Sequence, residues 1–225
     1  MKKRTIIILM FIMLFSGTLF PAEFKWARMK FNLDGARKDS WKDEASADLI
    51  MLKSLLKYST VKLKPEMAIV TPDKLEEMCK YPFIFMHAQT PIILTDAEVA
   101  NIREYLDRGG FIFVDDCVLS PSEPDLFFKS VLKELKTRIY ADGKILKLEN
   151  NHPIFSCFFN MAEGVPTMQG VNHGGWAVFD KKDKMKVFLV STDIQCGWNP
   201  EYFPGQRNTE ALKMGMNIVI YALTH

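Results

Sequence analysis

The sequence predicts one α/β domain built on an open, mostly parallel sheet. Three observations carry that prediction. Pro82 to His87 and Phe111 to Asp115 are compact apolar runs of the kind that parallel strands bury on both faces. Between them, Thr95-Asp96-Ala97-Glu98 forms a capping box that opens a helix. Val99, Ile102 and Leu106 continue that helix at helical spacing, and Gly109-Gly110 stops it. Strand, helix and strand follow within about 35 residues, which implies a right-handed crossover and a parallel pair. Both strands then end on the same rim of the sheet.

The other elements follow in chain order. Lys2, Lys3 and Arg4 precede an uncharged apolar run from Ile6 to Phe20. That run is shorter than the about 20 apolar residues a spanning helix needs. It predicts a secretory signal over residues 1–22, with cleavage after Ala22. Phe20 departs from the small-residue rule at the −3 position, so an uncleaved membrane anchor is the alternative. The domain then occupies residues 23–225. Phe24 to Phe31 reads as a strand, and Asp34-Gly35 marks a turn in a polar stretch. Ala45, Leu49, Leu52 and Leu56 give a helix from Glu44 to Tyr58. Met67 to Val70 is a short strand, and Thr71-Pro72-Asp73 opens a short helix toward Cys79.

The second half is less regular. Asp125 to Leu135 reads as a helix and Ile145 to Leu148 as a strand. Gly174-Gly175 introduces the apolar run Trp176 to Phe179. Lys181 to Lys184 is a charged turn, and Lys186 to Ser191 is a strand that runs into Asp193. Gln195 to Gln206 is expected as an ordered loop. Thr209 to Leu223 is the last helix, apolar nearly all round from Met214 on and therefore buried.

Composition narrows the function classes. The chain carries 29 Lys and Arg against 27 Asp and Glu. Three of the basic residues lie in the leader, so the domain itself is close to neutral. No block of like charges speaks for nucleic acid. Cys79, Cys117, Cys157 and Cys196 are widely spaced, without a C-x-x-C pair. Free, partly buried thiols are the simplest reading; disulfides in any of three pairings are the alternative. The close ligand pairs of a zinc site are missing, and no cofactor is expected. P-loop, G-x-S-x-G, H-E-x-x-H and dinucleotide fingerprints are absent too.

Asp115 and Asp116 end a strand of an open α/β sheet, where ligands sit. They are candidates for metal ligation or general base work, with His87 on the same rim as a third metal ligand. The competing reading makes one Asp the cap of a turn or helix and pairs the other with Arg or amides. Alternation along a strand sends the two side chains to opposite faces. Asp193, Trp198 and Arg207 lie in or beside the loop after another strand and complete the ligand-binding candidates. Trp198 is either a stacking platform for a sugar or peptide or a pin that holds the loop to the core. Cys117 follows a strand, as a nucleophile on a strand-to-helix elbow would. It lacks flanking glycines for the strained elbow, and two neighbouring acids are expected to raise its pKa.

Several segments together carry a family resemblance. They are Trp41 with Asp48-Leu49, Tyr81-Pro82-Phe83, Gly109-Gly110-Phe111 through Asp115-Asp116, His152-Pro153-Ile154-Phe155, Asp193 with Gly197-Trp198, and Gly215-Met216-Asn217-Ile218-Val219 through Tyr221-Ala222-Leu223. The chain resembles the bacterial domain-of-unknown-function 4159 family, a branch of the class I glutamine amidotransferase-like superfamily. The resemblance implies a three-layer flavodoxin-like fold and no established reaction. His87-Ala88-Gln89 stands where a Gly-His-Gly-like turn is expected, and Gly174-Gly175-Trp176 stands where Gly-Arg is expected. An anion site using that Arg is thereby in doubt. The resemblance also implies partners among envelope proteins associated with MoxR-type ATPase systems. The resulting expectation is an exported, non-catalytic binding module, touching the membrane only through an uncleaved leader. The alternative is a metal-assisted hydrolase acting on a glycan or peptide through Asp115, Asp116 and His87.

Overall fold

The structure is a computed structural model that describes residues 23–35, 37–118 and 120–225. The expected leader, residues 1–22, lies outside the described residues. Among the described residues, no helix is long and apolar enough to cross a membrane.

A seven-stranded sheet forms the middle layer. Its parallel part runs through β1 (Phe24–Met29), β3 (Leu63–Val70), β4 (Phe83–Ala88), β6 (Phe111–Asp116) and β9 (Met185–Val190). The spatial order is β3-β1-β4-β6-β9, continued by the antiparallel β8 (Trp176–Phe179) and β7 (Lys144–Lys147). Numbered among themselves, the five parallel strands run 2-1-3-4-5, the flavodoxin-like order. Such a sheet has its switch point between the first and third strands, here β1 and β4. The fold is therefore a three-layer, mostly parallel α/β fold of flavodoxin-like type.

Alternation along the central strands builds two cores. Phe83, Phe85, Phe111 and Phe113 face one layer, where α1 (Ala45–Tyr58) and α6 (Gln206–Thr224) pack. Phe83 lies opposite Phe111 and Phe85 opposite Phe113, with ring centroids 5.7 and 5.1 Å apart. Ile84, Met86, Ile112 and Val114 face the other layer, with α3 (Asp96–Asp107) and α4 (Leu126–Glu134). The α3 capping box is complete: Thr95 and Glu98 each accept from the other's backbone amide. Gly110 is required where α3 turns into β6, because a Cβ there would fall 2.2 Å from the Tyr105 ring.

The structure departs from the sequence reading in several places. β3 starts at Leu63, four residues early. It is an edge strand, where Pro65 removes no needed ladder bond. A two-residue pair, β2 (Asn32–Leu33) with β5 (Ile92–Ile93), is too short to leave a periodic signal. The expected short helix toward Cys79 is α2 (Leu75–Met78), whereas α5 (Ile194–Gly197) is an unforeseen helix inside the expected loop. α6 begins at Gln206, which places Arg207 in its first turn. Past α4 the chain keeps winding through a wider turn to Ile139.

Candidate functional site

Three strands deliver side chains to one point of the carboxyl-end rim. His87 is the penultimate residue of β4 and lies beside Asp115 of β6. Asp193 follows β9 by three residues. Asp115 and Asp116 separate to opposite faces, as alternation requires. Asp116 turns to the α4 layer, where its carboxylate accepts the Phe128 amide at 2.6 Å in the first turn of that helix. Burial pushes its pKa up to about 9, against the pull of that amide. Asp116 therefore caps a helix and stands apart from His87, which corrects its assignment as a metal ligand beside His87. Asp115 stays on the His87 face but accepts the Gln195 amide at 2.7 Å at the start of α5. Burial raises its pKa well above the carboxylate range, and Asp193 adds to the rise. Asp115→Ala is expected to cost about 0.5–2 kcal/mol, the loss of a helix cap. A chemical denaturation curve checks it.

The residues that do converge are His87, Cys117, Asp193 and Cys196. All four are buried, and one donor atom from each lies within 4.8 Å of the others. The local backbone explains the convergence. Cys117 is two residues past Asp115 and keeps the same face. Asp193 adopts a left-handed conformation, φ 55°, which a non-glycine residue holds only at a cost in strain. That twist lets its side chain accept the Cys196 amide at 3.4 Å, so α5 is capped from within the cluster. Gln169 donates its side-chain amide to the other Asp193 oxygen.

His87 Nε2 stands 3.5 Å from Asp193 Oδ1, and neither ring nitrogen has a hydrogen-bond partner among the described residues. Burial opposes protonation of His87, but Asp193 and Cys117 outweigh it and push its pKa up to about 10. The Cys196 thiol beside Cys117 draws that thiol's pKa down to about 6, against burial and with help from His87. Cys196 is pushed up in return. The sequence expectation for Cys117 was the reverse. It fails because Asp115 and Asp116 are turned onto helix amides, while Cys196 and His87 are the neighbours that count.

A cleft of about 390 Å³ opens above Cys117 and Cys196, which form its floor. Arg37, Glu44, Gln89, Gln169, Tyr202 and Phe203 supply its walls. Gln89 donates to Cys117 Sγ at 3.3 Å, and the Tyr202 hydroxyl donates to Glu44 at 3.0 Å. Arg37 pairs with Asp43. Glu44 shares the left-handed conformation, φ 52°. A larger cavity of about 890 Å³ lies at the opposite rim, around the β8–β9 turn. Several of its charges are paired: Arg103 with Asp142 at 2.7 Å, Lys144 with Asp183 at 3.2 Å, and Lys186 with Asp180 at 3.4 Å.

A family model for a domain of unknown function, DUF4159, matches residues 25–223. The chain belongs to the DUF4159 family. No curated protein matches it. Of the segments that carried the resemblance, Asp115-Asp116, Asp193 and Gly197-Trp198 lie at the carboxyl-end rim of this DUF4159 domain, while Tyr81-Pro82 and Gly109-Gly110 lead into the amino ends of β4 and β6. Asp48 accepts Arg28 Nε at 3.0 Å and Nη2 at 2.6 Å, and Trp41 offers its carbonyl to the same guanidinium at 2.9 Å. Gln195 reaches Asp48 at 3.1 Å, which ties this buried pair to α5. Asn217 holds Phe159 through both its amide and carbonyl, at 2.7 and 2.8 Å.

Two expected ligand residues of the DUF4159 domain take other roles. Trp198 is fully buried: its Nε1 donates to the Ala211 carbonyl at 3.1 Å and its ring packs on Phe85 and Trp26. It pins the loop and offers no platform. Arg207 donates to the carbonyls of Met168 and Thr167 and covers the Phe203 ring at 4.5 Å, behind the cleft wall. His173 is half-buried, 2.6 Å from Asp125 and stacked on Phe128. Cys196, Gln169 and Gln89 are the site residues that sequence reasoning missed. One signal was available for Cys196: Asp193-x-x-Cys196 at a strand end places both side chains on one tight turn.

Proposed function

We propose that this chain is an exported, non-catalytic binding module that takes a polar ligand in the cleft above its carboxyl-end rim. The observation that carries this reading is the cleft's place beside the β1/β4 switch point, where open α/β sheets take ligands. Its size suits a small molecule or a peptide end. Its walls offer amides, a guanidinium, a carboxylate and a phenol, a mixed set suited to hydroxyl and amide groups. Strain stored at Glu44 and Asp193, both beside the cleft, fits a ligand site.

Catalysis has narrower support. Asp115 and Asp116 are engaged by helix amides, and Cys117 lacks the positive φ that a strained nucleophile turn would show. One observation favours the alternative of a hydrolase acting on a glycan or peptide: the lowered Cys117 thiol lies beside His87 and Asp193. The flavodoxin-like strand order supports kinship with the class I glutamine amidotransferase-like superfamily. Export is supported by the basic and apolar pattern of residues 2–22, and partners associated with MoxR-type ATPase systems by the family resemblance.

Ligand-observed NMR with a cocktail of short peptides, sugars and polar fragments tests the binding reading. Val118 also lines the cleft, and hits on the wild type are expected to vanish in Val118→Trp, whose larger ring fills it. Hits that persist unchanged in the variant, or no hit at millimolar concentration, overturn it. Mass spectrometry of the cellular protein tests export: an N-terminus near Glu23 is expected, and an intact Met1 on cytosolic protein contradicts it.

A further inference from the structure

We propose that His87, Cys117, Asp193 and Cys196 form a closed, four-ligand site for a thiophilic divalent metal, zinc being the best match. The donor set is one imidazole, two thiols and one carboxylate. Zinc takes these donors, and soft thiolates select it over calcium or magnesium. Ligands about 2.0–2.3 Å from a tetrahedral zinc stand about 3.3–3.8 Å from one another. The four donors already lie within 4.8 Å, so modest side-chain rotations would bring them into range. His87 supplies an independent observation: it is fully buried on the cluster, and neither ring nitrogen has a hydrogen-bond partner among the described residues. A buried polar atom without a partner is costly, and a metal bond would satisfy one of these nitrogens.

The surroundings suit ligands. Metal donors are held by outer hydrogen bonds. Gln89 donates to Cys117 Sγ, and Gln169 donates to one Asp193 oxygen while the other faces His87. Two thiolates and a carboxylate around a divalent cation leave one net negative charge, which the donated amides of Gln89, Gln169 and Cys196 face. Four protein ligands fill a tetrahedral shell, which marks a structural site with no position left for a reacting water. The metal would join the ends of β4, β6 and β9 to α5 beneath the cleft. The two thiols release their protons on binding, as metal affinity for cysteine requires.

The site does not depend on what the cleft holds, and the test separates the two. Full-length protein is stripped with chelator under a phosphine reductant and titrated with cobalt(II) and zinc. One metal per chain is expected, with a thiolate-to-cobalt charge-transfer band that zinc displaces, and a melting point that rises with zinc concentration. Cys196→Ser and Cys117→Ser should each weaken binding by more than the about 10–100-fold that an outer partner such as Gln169→Leu costs. Circular dichroism of the stripped variants verifies that they fold. Val118→Trp should bind metal as the wild type does, even where it abolishes cleft ligands. Absence of the thiolate band in the wild type overturns the proposal, as does unchanged affinity in folded Cys196→Ser. A Cys117–Cys196 disulfide that resists the reductant overturns it as well.

Discussion

Asp48→Ala is expected to lower the free energy of unfolding by about 3–5 kcal/mol, the usual loss when one partner of a buried ion pair is removed. Arg28 and Asp48 are both fully buried. Asp48 also accepts Trp26 Nε1 at 3.0 Å and the Gln195 side-chain Nε2 at 3.1 Å. The substitution leaves the guanidinium with only the carbonyls of Trp41 and Asp43, at 2.9 and 2.8 Å. Trp26 Nε1 loses its partner at the same time, while the Gln195 side-chain amide keeps the Glu44 carbonyl at 2.6 Å. Replacing the pair together, as Arg28→Met with Asp48→Leu, should cost far less, because no buried charge is left alone. Denaturant midpoints for the two single variants and the double variant give the coupling directly. Equal losses in Asp48→Ala and the double variant would show that packing, and not the charge, sets the penalty.

Trp198→Ala is expected to cost about 3–5 kcal/mol, the range for removing a buried aromatic side chain. The ring lies 5.6 Å from Phe85 and 6.1 Å from Trp26, with its Nε1 on the Ala211 carbonyl. Gly215 in the middle of α6 makes room for it: a Cβ there would stand 2.8 Å from Nε1. A platform for a sugar would behave differently, since its removal would abolish binding and leave stability nearly unchanged. Thermal unfolding together with the NMR cocktail on one variant separates these roles. The expected outcome is a large drop in melting point with cleft hits retained below it.

The pattern of residues makes the central sheet legible and the site only partly so. β4 and β6 are continuous apolar runs with a capped helix between them, so periodicity and end signals agree on one answer. That agreement also places His87 and Asp115 on one rim, opposite each other in register. Asp115 and Asp116 could not be assigned from the sequence, because the groups that engage them, the amides of Gln195 and Phe128, are 80 and 12 residues away. Cys196 was hidden for a similar reason. Its nearest thiol, Cys117, belongs to another strand, and spacing rules detect only ligand pairs that are close in sequence. Trp198 and Arg207 were overrated because a loop rich in Gly, Trp and Tyr reads the same whether it pins or binds.

The most direct measurement is an X-ray structure of zinc-treated crystals with data collected on both sides of the zinc absorption edge. The expected result is one anomalous peak per chain at the carboxyl-end rim, within about 2.0–2.3 Å of a His87 nitrogen, an Asp193 oxygen and both sulfurs of Cys117 and Cys196. A rim without a peak, or a peak confined to the His173–Asp125 pair, would contradict the account.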